Sequence, residues 1–233
     1  HPNYNDFVPI WKRTGDCAEG EPKIKAGTTT YLPAEFSTDT DRYNLYLQRA
    51  YFLGATKQAL ASIVGMVMRK PGEVELPPRL EELVENIDGS ERSIDQMAKY
   101  SVTEVGIKGR IGYLADYPPA PEGISKEQQR LGGYRPYMKA YTAESIINWR
   151  EEVINGRNML TMVVLKEQVE DSDLDEFAHT FEDQYRVLRL RDGVYTQQLY
   201  DTNGIQGEEL VVRQGGKPMD HIPFYFAGSE NNQ

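Results

Sequence analysis

Cysteine is almost missing, with Cys17 standing alone in 233 residues. A single thiol cannot close an intramolecular disulfide or build a thiolate metal cluster, which fits a reducing compartment or indifference to redox. Histidine is scarce too, and His1, His179 and His221 are too scattered to read as a zinc motif. Nucleophile and base pairs assemble in space, but nothing local to Cys17 supports one. No apolar run is long enough to cross a membrane. The best, residues 59–68, is about ten residues where a span needs roughly 20, and it contains Ser62. Basic residues are outnumbered, 26 Lys and Arg against 36 Asp and Glu, for a formal charge of −10. Non-specific duplex binding runs on basic side chains against phosphate, so a surface that coats DNA is excluded, whereas an acidic wall that DNA slides past is not. The chain starts without methionine and without a basic-then-apolar leader, so no secretory signal is expected and the sequence reads as a piece of a longer protein.

What remains is ordinary for a globular protein, 39% hydrophobic and 27% charged, on a chain long enough to bury a real core. The stretch 42–71, RYNLYLQRAYFLGATKQALASIVGMVMRKP, has its apolar residues at helical spacing. Gly54 is the expected break, and Pro71 the stop, with Arg69 and Lys70 suited to the negative end of a helix dipole. The second half is apolar on several faces, so it is expected to be the principal buried helix, with Leu60, Ile63, Val64 and Val67 in the core.

Around it, residues 5–18 read as an amphipathic helix carrying Phe7, Ile10, Trp11 and Cys17, with Pro9 early enough to sit in its first turn. Residues 20–39 have few apolar anchors beyond Tyr31, Leu32 and Phe36, and are expected to form an arm ordered by a neighbouring subunit. A proline-led short helix is expected over 78–86, then a helix capped by Ser90 or Ser93 and ended by Gly106 and Gly109. From Arg110 the pattern turns to strands. Asn155-Gly156 and Asp192-Gly193, each between alternating runs, are the strongest short hairpin signals available. The expected architecture is α+β, N-terminal helices (1–109) packed on a C-terminal antiparallel β-meander (110–233), as one continuous structural domain.

Three motifs have ordinary readings. Gly106, Gly109 and Gly112 follow a helix and precede a strand, the reverse of a dinucleotide fingerprint, so they read as a helix cap and tight turn. Asp171, Asp173, Asp175 and Glu182 have calcium-loop spacing, but Glu176 stands where that loop needs glycine, which favours a solvated acidic loop. The fifteen tyrosines suit wet edges and interfaces, or the rim of a core. No catalytic, cofactor-binding or metal-binding residue is expected. By composition the chain looks like a binding or assembly module.

Several blocks carry a resemblance to a known family. They are the opening His1-Pro2-Asn3-Tyr4 with Trp11, Asp16-Cys17 and Gly20-Glu21; Tyr31-Leu32-Pro33; the RAYFLGAT and ALASIVGMVMRKP blocks; Ile146-Ile147-Asn148-Trp149-Arg150; Gln184-Tyr185-Arg186-Val187; and Ile222-Pro223-Phe224. Together they resemble a domain-of-unknown-function family of tailed-bacteriophage structural proteins that look like portal proteins. The resemblance implies the wing portion, ending before the stem helix and clip. It implies a non-enzymatic ring, dodecameric in virions, at one capsid vertex. The ring would conduct double-stranded DNA without sequence specificity, contact the major capsid protein, dock the terminase and later hold neck and tail proteins. The implied location is the virion, and the host cytoplasm during assembly. The competing readings are a soluble phage adaptor that binds through its tyrosine-rich face, or a hydrolase or nuclease using Cys17 or the carboxylates at 171–182.

Overall fold

The first helix shows how the chain builds its layers. α1 (Pro2–Glu19) begins with proline at its first position, where a missing N–H costs nothing, and turns Trp11 and Asp16 inward. Pro9 lies in the middle of this helix and not in its first turn, because the helix starts earlier than the apolar spacing implied. A computed structural model describes residues 1–34, 40–70, 72–118, 134–170, 179–204 and 207–228.

Helices follow in the order α2 (Glu21–Ala26), α3 (Thr40–Arg49), α4 (Ala55–Val67), α5 (Glu82–Glu85) and α6 (Ile94–Lys108). α6 is specified locally at both ends. Ser93 Oγ accepts from the Gln96 N–H at 3.2 Å and Gln96 Oε1 accepts from the Ser93 N–H at 3.0 Å, a reciprocal capping box. Gly109, at φ 81°, ends the helix in the left-handed conformation that glycine adopts without strain. Gly106 does not end it. It lies inside α6, where a Cβ would come within 2.8 Å of the Leu60 side chain, so its bareness lets α4 approach.

The strands are β1 (Arg110–Asp116), β2 (Tyr137–Thr142), β3 (Ile146–Ile154), β4 (Arg157–Glu170), β5 (Phe181–Arg191), β6 (Val194–Tyr200), β7 (Leu210–Val211), β8 (Arg213–Gln214), β9 (Lys217–Pro218) and β10 (Phe224–Gly228). β3 to β7 form a five-stranded antiparallel meander in sequence order. Its first and third turns are the expected ones. Asn155 and Gly156, and again Asp192 and Gly193, take positive φ at both central positions, the twist that matches flanking strands. The run 210–214 is divided at Val212 into β7, paired with β6, and β8, paired with β9.

β10 leaves the meander. It returns to pair antiparallel with β1, Arg110 opposite Gly228, in a three-stranded sheet ordered β10-β1-β2. The core lies between the two sheets, around Leu114, Ile146, Trp149, Val163, Leu165, Leu188 and Phe224. Gly112 of β1 faces this core so closely that a Cβ would meet the Phe224 ring and lie 2.8 Å from Ile146 Cδ1. The fold is therefore α+β, helices in the N-terminal part and antiparallel sheets in the C-terminal part.

The centre of the core is not where the apolar spacing placed it. Val64 is buried at 6% exposure and Leu60 is half-buried, but Ile63 and Val67 are 51% and 56% exposed. α4 meets α1 and α6 along one face and leaves Ile63, Met66 and Val67 exposed on the other. The sheets supply most of the fully buried side chains instead, Leu114, Ile146, Val163, Leu165, Leu188 and Tyr195, where their facing sides pack together.

The arm also differs. Ile24 is buried, the Tyr31 hydroxyl donates to the Asp16 carboxylate of α1, and the Leu32 carbonyl accepts from the Tyr43 hydroxyl at 2.8 Å. Tyr31 and Leu32 thus anchor on their own chain. Phe36 lies outside the described residues, as does most of the acidic loop, 171–178.

Candidate functional site

Three places concentrate chemistry or exposed surface. The first is the joint between helix and sheet. Because Gly109 stops α6, the next residue, Arg110, opens β1 already under the helices. Its guanidinium lies 4.6 Å over the Trp11 ring and 4.4 Å over the Trp149 ring, at 2% exposure. Nη2 donates to the carbonyls of Ala143 at 3.3 Å and Ile146 at 3.1 Å. Burial lowers its pKa to about 10, against smaller upward effects of Tyr4 and Glu144, so it stays charged at neutral pH. A cation enclosed by indoles and carbonyls holds elements together and offers no face to a substrate.

The second is a polar network between the sheets. Glu167 of β4 accepts from Arg186 Nε at 3.0 Å and Nη2 at 3.2 Å, from Lys139 at 3.0 Å and from the Tyr141 hydroxyl. Arg186 Nη1 reaches Gln197 Oε1 at 2.9 Å, and Gln197 donates to Asp116 at 3.3 Å, which also accepts from Tyr137 at 3.2 Å. Burial by itself raises the Glu167 pKa, but Arg186, Tyr141 and Lys139 outweigh it and hold the carboxyl at about 2. Burial, then Asp116, pushes Tyr137 up to about 12. At neutral pH neither Glu167 nor Tyr137 is therefore poised to exchange a proton. It joins β1 and β2 to β4, β5 and β6.

The third is a surface. Tyr51 and Leu53, in the link between α3 and α4, are 80% and 65% exposed, and Leu45 and Tyr46 of α3 are exposed beside them. On α4, Ile63, Met66 and Val67 share the outer face by their spacing. The inner face, through Leu60, Ala61, Val64 and Met68, lines a groove of about 810 Å³ against α1 and α6. Residues 40–70 contain five basic side chains, Arg42, Arg49, Lys57, Arg69 and Lys70, against one acid, Asp41, in a chain of charge −10. Exposed apolar side chains in this number, on a segment rich in basic residues, are what a contact with another molecule presents.

No family model matches this chain, and no curated protein matches it.

The sequence candidates are dispersed. Cys17 is half-buried on α1, while His1 stacks on Trp149, His179 contacts Glu170 and His221 contacts Asp220 at 2.9 Å. Among the described residues no group of three or more His, Cys, Asp or Glu side chains is placed to hold a metal ion. Glu182, the end of the calcium-like spacing, is exposed on β5. Of the core set Leu60, Ile63, Val64 and Val67, two face inward and two outward.

The network was nevertheless visible as a pattern. Val163, Leu165 and Glu167 alternate on the buried face of β4, and Arg186 keeps phase with Leu188 and Leu190 on β5. Opposite charges in the buried register of consecutive strands are a pairing signal.

Proposed function

We propose that this chain is a structural subunit, the wing portion of a portal-like ring, and not an enzyme. The observation that carries the reading is the set of exposed apolar side chains along 45–67, Leu45, Tyr46, Tyr51, Leu53, Ile63, Met66 and Val67. A helix apolar on several faces needs a neighbour on each, and α1 and α6 pack against one face of α4. The block resemblance to tailed-phage portal proteins supplies the assembly: a homo-oligomeric ring at a capsid vertex through which double-stranded DNA passes. The terminase, the major capsid protein and neck and tail proteins are the partners that follow from it. The acidic charge suits such a conduit, since a weakly repulsive wall does not retain phosphate. Single-particle imaging of the intact protein tests the proposal. Rings with a central channel are expected; discrete monomers at every concentration would overturn it.

A further inference from the structure

Two surfaces of this chain have complementary chemistry and lie on different elements. One is the outer face of α4, where the exposed Ile63, Met66 and Val67 are followed directly by the exposed Arg69 and Lys70. The other is the far end of the β4 and β5 pair. β3 accompanies β4 only as far as Ile146 opposite Leu165, and β6 accompanies β5 only as far as Tyr185 opposite Tyr200. β4 and β5 stay paired beyond both, out to Glu170 opposite Phe181. This two-stranded extension carries an exposed apolar group and an exposed acid on each face, Phe181 (58%) opposite Glu170 on one and Val169 (44%) opposite Glu182 on the other. Lys166 is engaged with Asp183 at 2.6 Å, and Glu170 also contacts the exposed His179.

We propose that the end of the β4–β5 ribbon of one copy docks on the outer face of α4 of the next copy. Phe181 covers Met66 and Val67, and Glu170, its cross-strand partner on the same face of the ribbon, meets Arg69 and Lys70. The proposal rests on the ring reading and names the contact within it. A second copy is the occupant because the charges are complementary within one sequence: a basic apolar face on an acidic protein finds its acidic apolar counterpart on the same chain. The two patches differ, so the contact is heterologous. Such contacts repeat around a ring instead of closing at a pair. Complementary charge fixes register and partner choice, while the apolar residues supply buried area.

The test is charge reversal in the intact protein, read by sedimentation velocity at physiological salt. Arg69→Glu with Lys70→Glu, and separately Glu170→Lys, are each expected to weaken self-association at least tenfold. All three positions are exposed, so the urea melts should stay unchanged and exclude misfolding as the cause. Mixing the two variants makes every junction complementary again in an alternating assembly, and association is expected to return. Wild-type assembly that both reversals leave intact would overturn this contact while the ring reading stands, and would place another protein or another segment on α4. Loss in both variants without recovery on mixing would also overturn it. A wild-type protein that never associates would remove the ring reading as well.

Discussion

The Arg110 guanidinium lies over the Trp149 ring, guanidinium carbon to ring centroid 4.4 Å, at the point where helix becomes sheet. It also lies 4.6 Å from the Trp11 ring centroid, so the planar cation joins α1, β1 and β3. An ammonium keeps the charge but cannot stack or fork its donors in this way. Arg110→Lys is therefore expected to lower stability by about 2 kcal/mol, the order of a desolvated cation–π contact. Urea unfolding measures it, and a variant as stable as wild type would show that the stack contributes nothing.

Glu167 makes stability depend on acid. Its folded pKa, about 2, lies below its ordinary 4.5, so the unfolded chain takes up a proton first as pH falls. The stabilisation is present above 4.5 and is lost on acidification toward about 2. The difference corresponds to roughly 3 kcal/mol. Glu167→Gln should be less stable than wild type at neutral pH, because it leaves Arg186 buried without its counter-charge. The gap should then narrow as the pH drops. Parallel acid-unfolding curves for the two proteins would refute this assignment.

Adjacent positions on α4 should respond oppositely to the same change. Val64→Asp places a charge at a 6% exposed site and is expected to abolish cooperative folding. Ile63→Asp, at 51% exposure, should leave the melt of the monomer within about 0.5 kcal/mol of wild type. Thermal denaturation in dilute solution, below the concentration at which copies associate, separates the two.

Two glycines carry opposite predictions. At Gly65 of α4 a Cβ meets nothing within 4 Å, so Gly65→Ala should stabilise by up to about 1 kcal/mol through helix propensity. At Gly112 the new methyl would strike the Phe224 ring and Ile146, and Gly112→Ala should cost about 1–3 kcal/mol as overpacking. Equal melting temperatures for the pair would contradict the packing described for β1.

The segment after α1 belongs to its own chain. Tyr31→Phe removes the hydroxyl that donates to Asp16, itself 5% exposed, and should cost about 1–3 kcal/mol as an acceptor loses a partner in a buried setting. Deleting residues 22–37 should accordingly weaken the fold itself, measured by the urea midpoint of the monomer. An unchanged midpoint would return the segment to the role of a free arm.

What the sequence determined by itself was whatever a few neighbouring residues enforce. Asn155-Gly156 and Asp192-Gly193 supply positive φ at both turn positions, a serine caps α6 and Gly109 ends it; each acts over about one turn and was legible, although the choice of Ser93 over Ser90, its box with Gln96 and the place of Gly106 inside the helix were not. The order of helices then strands followed from these signals. Tertiary structure alone decided which side of α4 is buried, because a helix apolar all round does not specify its neighbours, and only α1 and α6 arriving on one side leave Ile63 and Val67 outside. It likewise decided that β10 closes on β1 across more than a hundred residues, and that Arg110 meets two tryptophans from distant elements. Those pairings depend on loop closure and shared burial, which no local pattern encodes.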